Sequence, residues 1–182
     1  MPSSRSRQFV TPRGGKAPAF GLGFLLFSAT IVAGFQDPPR PPIAIIVNRQ
    51  NEISDVSTRD LKAIFRAEKR SWPAGKGPSA GRDVTLILRS SESREQAAIL
   101  DAVYGMTAEQ LERYWVEVVY QGKLSAPPAT KVTSAQAIRA VARDPGAISV
   151  VLLKDVTPDV KVVTIDGKAA GAAGYLLGAE KP

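Results

Sequence analysis

Arg89, Ser90, Ser91, Ser93 and Arg94 crowd into a short piece of the stretch "LILRSSESREQAAIL", Leu86 to Leu100. Its first half reads as the end of a strand and its second half as an amphipathic helix. The junction exposes the unpaired N–H groups of a first helical turn, at the positive end of the helix dipole. Serine hydroxyls and guanidinium groups placed there make a receptor for an oxyanion such as phosphate. The plainer alternative is a serine N-cap flanked by two solvated arginines.

Composition removes most other chemistry. The chain has 182 residues, with no histidine and no cysteine. Disulfides, thiol nucleophiles, histidine-based triads and the common zinc sites are therefore excluded. No Asp/Glu constellation has calcium-loop spacing, so no cofactor or metal is expected. A serine hydrolase lacks its base, and the sequence points to a binding protein, not an enzyme. The formal charge of +7 is concentrated at the start, in Arg5, Arg7, Arg13 and Lys16. Setting those four aside leaves 20 basic against 17 acidic residues, a net of +3. The remaining charges are interspersed, which argues against a nucleic-acid partner and leaves small anions open.

The opening residues read as an address. A basic start precedes an apolar run from Ala19 to Phe35, with small residues at Ala33 and Gly34. This is the order of a cleavable signal peptide, expected over residues 1–34. The alternative is an uncleaved membrane anchor, for which the run is short and glycine-interrupted. The expected location is periplasmic or secreted. A proline-rich spacer follows over 35–42, a folded lobe over 43–177 and a tail over 178–182.

The elements that must position the serine/arginine cluster come next. "IAIIVN" (Ile43 to Asn48) has the β-branched continuity of a buried strand. "VSTRDLKAIF" supplies a cap at Ser57 or Thr58 and an apolar stripe at Leu61, Ile64 and Phe65, predicting a helix. "SWPAGKGPSAGRD" reads as a loop and "VTLILR" as a second strand. A helix is predicted from about Glu92 to Tyr104, stopped at Gly105. Capping boxes at Thr107–Gln110 and Thr133–Gln136 open two more helices. In the first of these, Leu111, Tyr114, Trp115 and Val118 share one face and read as core. "AISVVLL" and "VKVVTI" are the last strands, with a turn at Asp166–Gly167. Tyr175, Leu176 and Leu177 are placed to dock on the body. Strands alternate with helices, so the fold class is α/β: a single three-layer domain with a mostly parallel or mixed sheet flanked by helices. Ligands of such sheets sit beyond the carboxyl ends of strands, where Arg89 lies.

Four of these segments, in this order, resemble the phosphate-binding proteins of ABC transporters, within the periplasmic-binding-protein superfamily. "STRDLKAIFRAEKRSWPAGK" resembles a helix ending "IF-x-G-K" before a tryptophan loop, with Ala67 and Glu68 at the Gly and Lys positions. "VTLILRSSESREQAAIL" resembles the turn "R-S-D-G-S-G-T". "DPGAISVV" resembles "GAIGYV", with Ser149 for the glycine. "VKVVTIDGKAAGAAGYLL" resembles the run to "Y-P-L", with Leu176 for proline. The match covers roughly Ile43 to Leu177 and implies the architecture of one lobe of a two-lobed receptor. It implies that Arg89 pairs with phosphate and that Ser93 donates to it. Arg94 and Glu95 stand where the family has Gly and Thr, which brings a carboxylate toward the anion. Glu95 is expected either to pair with Arg94 or to serve as a first-turn acid.

The resulting expectation is a secreted solute-binding module for phosphate or a similar inorganic oxyanion. It would be held at Arg89, Ser90, Ser91, Ser93 and Arg94 and linked to ABC-type uptake or sensing. An ABC permease or a membrane sensor is the implied partner, and a homodimer would close a half-open cleft. The alternative is a ligand-free lobe that docks to a protein partner, with Trp72 and Lys69–Arg70 as contact points.

Overall fold

In the computed structural model, which describes residues 41–178, the strand Ile43–Asn48 (β1) is buried along its whole length. Alternation accounts for this: Ile43, Ile45 and Val47 face one core cluster while Ile46 faces a second. Such a strand must be sandwiched, because side chains alternate between the two faces of a sheet. The first cluster lies under the helices Thr58–Phe65 (α1), Arg94–Ile99 (α2) and Ala108–Tyr120 (α3). The second lies under Ser134–Arg143 (α4), through Ala137, Ile138 and Val141. The fold is therefore the expected α/β arrangement of helices on both faces of a mixed sheet.

Six strands make that sheet. Besides β1 they are Asp55–Val56 (β2), Thr85–Arg89 (β3), Ala129–Lys131 (β4), Ala147–Leu152 (β5) and Val160–Ile165 (β6). Their order is β2-β6-β1-β5-β3-β4. β1 runs antiparallel to both β5 and β6, with Ile45 opposite Val150 and Val163. β3 runs parallel to both β5 and β4, with Arg89 opposite Lys131. The expected leader over 1–34, nearly all of the spacer over 35–42 and most of the tail over 178–182 lie outside the described residues. Pro42, at the end of that spacer, accepts a hydrogen bond from Leu153 N–H at 2.8 Å.

Local chemistry explains where the helices start and stop. Ser57 caps α1, and both expected capping boxes close, Thr107 with Gln110 and Thr133 with Gln136. α4 has no glycine stop. Instead the buried amide of Asn48, at the end of β1, donates to Val141 O and Ala142 O, each at 2.9 Å, satisfying its last carbonyls. The helix predicted from about Glu92 to Tyr104 is corrected in two ways. It begins at Arg94, and after Ile99 it widens into a π-helical turn, Leu100–Tyr104, before Gly105 at φ 64°. That turn seats Tyr104 in the core, where its hydroxyl donates to Phe65 O at 2.7 Å and its ring meets Phe65 and Trp115 edge-on. Burial pushes the Tyr104 hydroxyl far above its ordinary value.

The sequence motifs outside the junction are largely structural. Trp72, expected in an exposed loop, is buried, and its indole N–H donates to Gly146 O at 2.8 Å. It is therefore a packing anchor and not a contact point for a partner. Lys69 pairs with Asp60 at 3.1 Å and Arg70 donates to Lys123 O at 2.7 Å. Ser149, where the family pattern has glycine, donates across the sheet to Ile87 O at 2.8 Å. Tyr175 and Leu177 dock as expected, and burial raises the Tyr175 hydroxyl to about 12.

Candidate functional site

Arg89 is the last residue of β3, which lies between β5 and β4. The chain turns sharply after it: Ser93 N–H donates to Ser90 O at 2.9 Å, and Ser90 N–H donates to Lys131 O at 3.1 Å. Ser93 then caps α2 by accepting from Gln96 N–H at 3.1 Å. Gln96 occupies the position that closes a capping box elsewhere in the molecule. Here its side-chain oxygen turns back to β3 and accepts the Arg89 backbone N–H at 3.2 Å. Strand end and helix start are thereby tied to each other.

The Arg89 guanidinium is only 4% exposed. Its Nη1 donates to Lys131 O at 3.0 Å and its Nη2 to Glu95 Oε1 at 3.2 Å. The same Glu95 oxygen receives the Ser134 hydroxyl, from the start of α4, at 3.4 Å. Glu95 is as buried as its partner, so the ion pair is withdrawn from water. Removing either member would strand a charge in the interior, where desolvation is severe. The guanidinium is not saturated, however: Arg89 Nε is buried without a hydrogen-bond partner.

Beside the pair lies a cavity of about 450 Å³. Arg89, Ser90, Ser91, Gln96, Thr130 and the carboxylate-bearing Glu112 supply its polar lining. Leu111, Trp115 and Pro128 are part of its apolar wall, and Glu95 lies behind Arg89 outside that lining. The structure thus brings Arg89, Ser90 and Ser91 together at one opening. Ser93 is spent on the cap, and Arg94 is exposed and outside the cavity lining. Of the two expectations for Glu95, the pairing with Arg94 is not found; Glu95 stands in the first turn of α2 and reaches Arg89. Neighbouring residues on a helix project in different directions, whereas the turn carries Glu95 back over the strand end. α2 is only six residues long. Side chains, more than a helix dipole, must therefore hold any anion here.

Gln96, Ser134 and the Lys131 carbonyl complete the arrangement and were not legible as site components. Gln96 had a signal in the pattern Ser93-x-x-Gln96, which matches the two capping boxes. Ser134 and Lys131 arrive from a distant part of the chain. Among the described residues no group of carboxylates, histidines or cysteines could hold a metal ion. No helix among them is long and apolar enough to cross a membrane.

A profile of the PBP superfamily domain matches residues 40–176. The chain belongs to that superfamily. No curated protein matches it. Among solved structures it is similar to a putative phosphate ABC transporter substrate-binding protein with bound phosphate from Clostridium perfringens. The TM-score is 0.56 and identity 22%, over 71% of this chain and 47% of that one. It is also similar to an ABC-type phosphate transport receptor from Vibrio cholerae, with TM-score 0.53 and 12% identity, over 70% and 47%. PstS from Borrelia burgdorferi gives 0.52 and 16%, over 70% and 48%. These likenesses carry the fold, and the chain spans about half the length of the structures it matches.

Proposed function

We propose that this protein is a solute-binding module for phosphate or a similar inorganic oxyanion, taken up at the β3–α2 junction by Arg89, Ser90 and Ser91. Ser93 shapes the turn, and Arg94 adds positive charge at its rim. The observation that carries this reading is the convergence of Arg89 Nη2 and the Ser134 hydroxyl on one carboxylate oxygen. Donors gathered from a strand end and a distant helix around a single oxyanion are what an oxyanion receptor requires. The relatives described as phosphate receptors support the same ligand class. Residues 1–34 fit export to the periplasm or beyond, and an ABC permease or a membrane sensor is the fitting partner. A second copy of the chain could close the open side of the cavity.

Glu95 favours one other reading. It already satisfies part of Arg89, as expected of a lobe that has lost its ligand and serves to dock a protein partner. Calorimetric titration of the purified protein with phosphate, with sulfate as the control, separates the two. Saturable binding that Arg89→Lys weakens supports the receptor, because lysine cannot reproduce the planar donor fork. A folded protein that binds neither anion supports the docking lobe.

A further inference from the structure

The Arg89–Glu95 contact is incomplete in a particular way. A guanidinium offers a fork of two parallel donors along its Nε–Nη2 edge, and a two-oxygen acceptor normally fills both prongs. Glu95 reaches Nη2 through one oxygen, and Nε remains buried and unpartnered. Unpaired buried donors are uncommon, because each has given up its water without replacement. The idle prong belongs to a side chain that lines the cavity with Ser90 and Ser91.

We infer that Glu95 is a built-in stand-in for the ligand. Its carboxylate holds the Arg89 guanidinium in the empty site, and an arriving oxyanion displaces it and takes both prongs of the fork. This rests on the reading that the junction receives an oxyanion, and it adds that Glu95 determines how tightly. In the empty protein the internal carboxylate spares Arg89 an isolated buried charge. For an incoming anion the same carboxylate is both a competitor for Nη2 and a like charge close by. Phosphate gains the additional bond to Nε but must expel Glu95 to make it. The site is then a low-affinity receptor by construction, and Glu95 is the residue that sets that affinity.

Glu95→Gln isolates this effect, because glutamine keeps the size and the acceptor oxygen while removing the charge. Phosphate binding followed by calorimetry is expected to be at least about tenfold tighter in Glu95→Gln than in the unaltered protein. Equal affinities would overturn the stand-in role and leave the receptor reading intact. Absence of binding in both, with both folded by circular dichroism, would overturn the two together. If Glu95→Gln does not fold alone, refolding it in phosphate provides the answer. Rescue by phosphate and not by chloride supports the stand-in, since phosphate then supplies the missing counter-charge. Failure of phosphate to rescue contradicts it.

Discussion

Three helices in this molecule begin with the same short pattern, a serine or threonine followed three residues later by glutamine. At α3 and α4 the pattern closes on itself: Thr107 and Thr133 each accept the glutamine backbone N–H while the glutamine side chain accepts the threonine's own. Those starts are exposed and self-contained. At α2, Ser93 makes its half of the bond, but Gln96 reaches away to the backbone of Arg89. Glu95, one residue earlier, follows it into the interior and pairs with the Arg89 side chain. The same sequence motif thus makes two stoppers and one clamp. The residue before it in space, a buried arginine at a strand end, decides which.

The comparison can be broken most severely at the ion pair. Glu95→Ala or Arg89→Ala should destabilise the fold by about 3–5 kcal/mol, because each leaves one buried charge uncompensated. The paired replacement Arg89→Met with Glu95→Leu should recover most of that loss. Urea unfolding of the three variants measures both effects. Next, Gln96→Ala should cost about 1–3 kcal/mol by orphaning the buried Arg89 N–H. Gln110→Ala and Gln136→Ala should cost less than Gln96→Ala in the same assay, since water replaces the lost acceptor at those exposed starts.

A second pair of positions sharpens the lesson at the other end of a helix. Gly105 ends its helix at φ 64°, the left-handed region that glycine enters freely. Ala67, just after α1, adopts φ 54° with a Cβ that disfavours it. Ala67→Gly should therefore stabilise the protein by about 0.5–1 kcal/mol, relief of strain outweighing the added chain entropy. Thermal unfolding would register the gain as a raised midpoint. The smallest effect concerns Asp166. The Thr58 hydroxyl and then the Thr58 N–H hold its carboxyl below the ordinary value. Because the folded value is depressed, the contribution is complete above the unfolded value near 4 and is lost as pH falls through the lower folded one. Asp166→Asn should therefore lower stability slightly at neutral pH, where the contribution is complete, and the difference from the unaltered protein should vanish as pH falls below the depressed folded value.

Much of the fold was legible because it is written in local patterns. The burial of β1, the stripe of α1, the two capping boxes and the Asp166–Gly167 turn each depend on neighbours within a few residues. What escaped depends on distant ones. β4 is the short Ala129–Lys131, exposed at its first two residues, and has no apolar alternation to announce it. β2 is two residues long. The antiparallel placement of β1 between β5 and β6 is set by packing across the whole chain. Trp72 sits in a Gly/Pro-rich stretch, and only its distant acceptor, Gly146 O, reveals its burial. The site divides in the same way. Arg89 and the serines stand out in sequence, whereas the destination of Glu95 depends on a turn and on Ser134, brought from another helix.

The central claim is that the Arg89 guanidinium is an oxyanion receptor filled by its own carboxylate. The most direct measurement is nuclear magnetic resonance of the ¹⁵N-labelled protein through a phosphate titration, following the Arg89 side-chain N–H groups and the amides of Ser90, Ser91 and Glu95. The account predicts saturable shifts confined to this junction, with Arg89 Nε–H moving as it gains its first partner. Unchanged Arg89 side-chain resonances, or shifts located elsewhere on the protein, would contradict it.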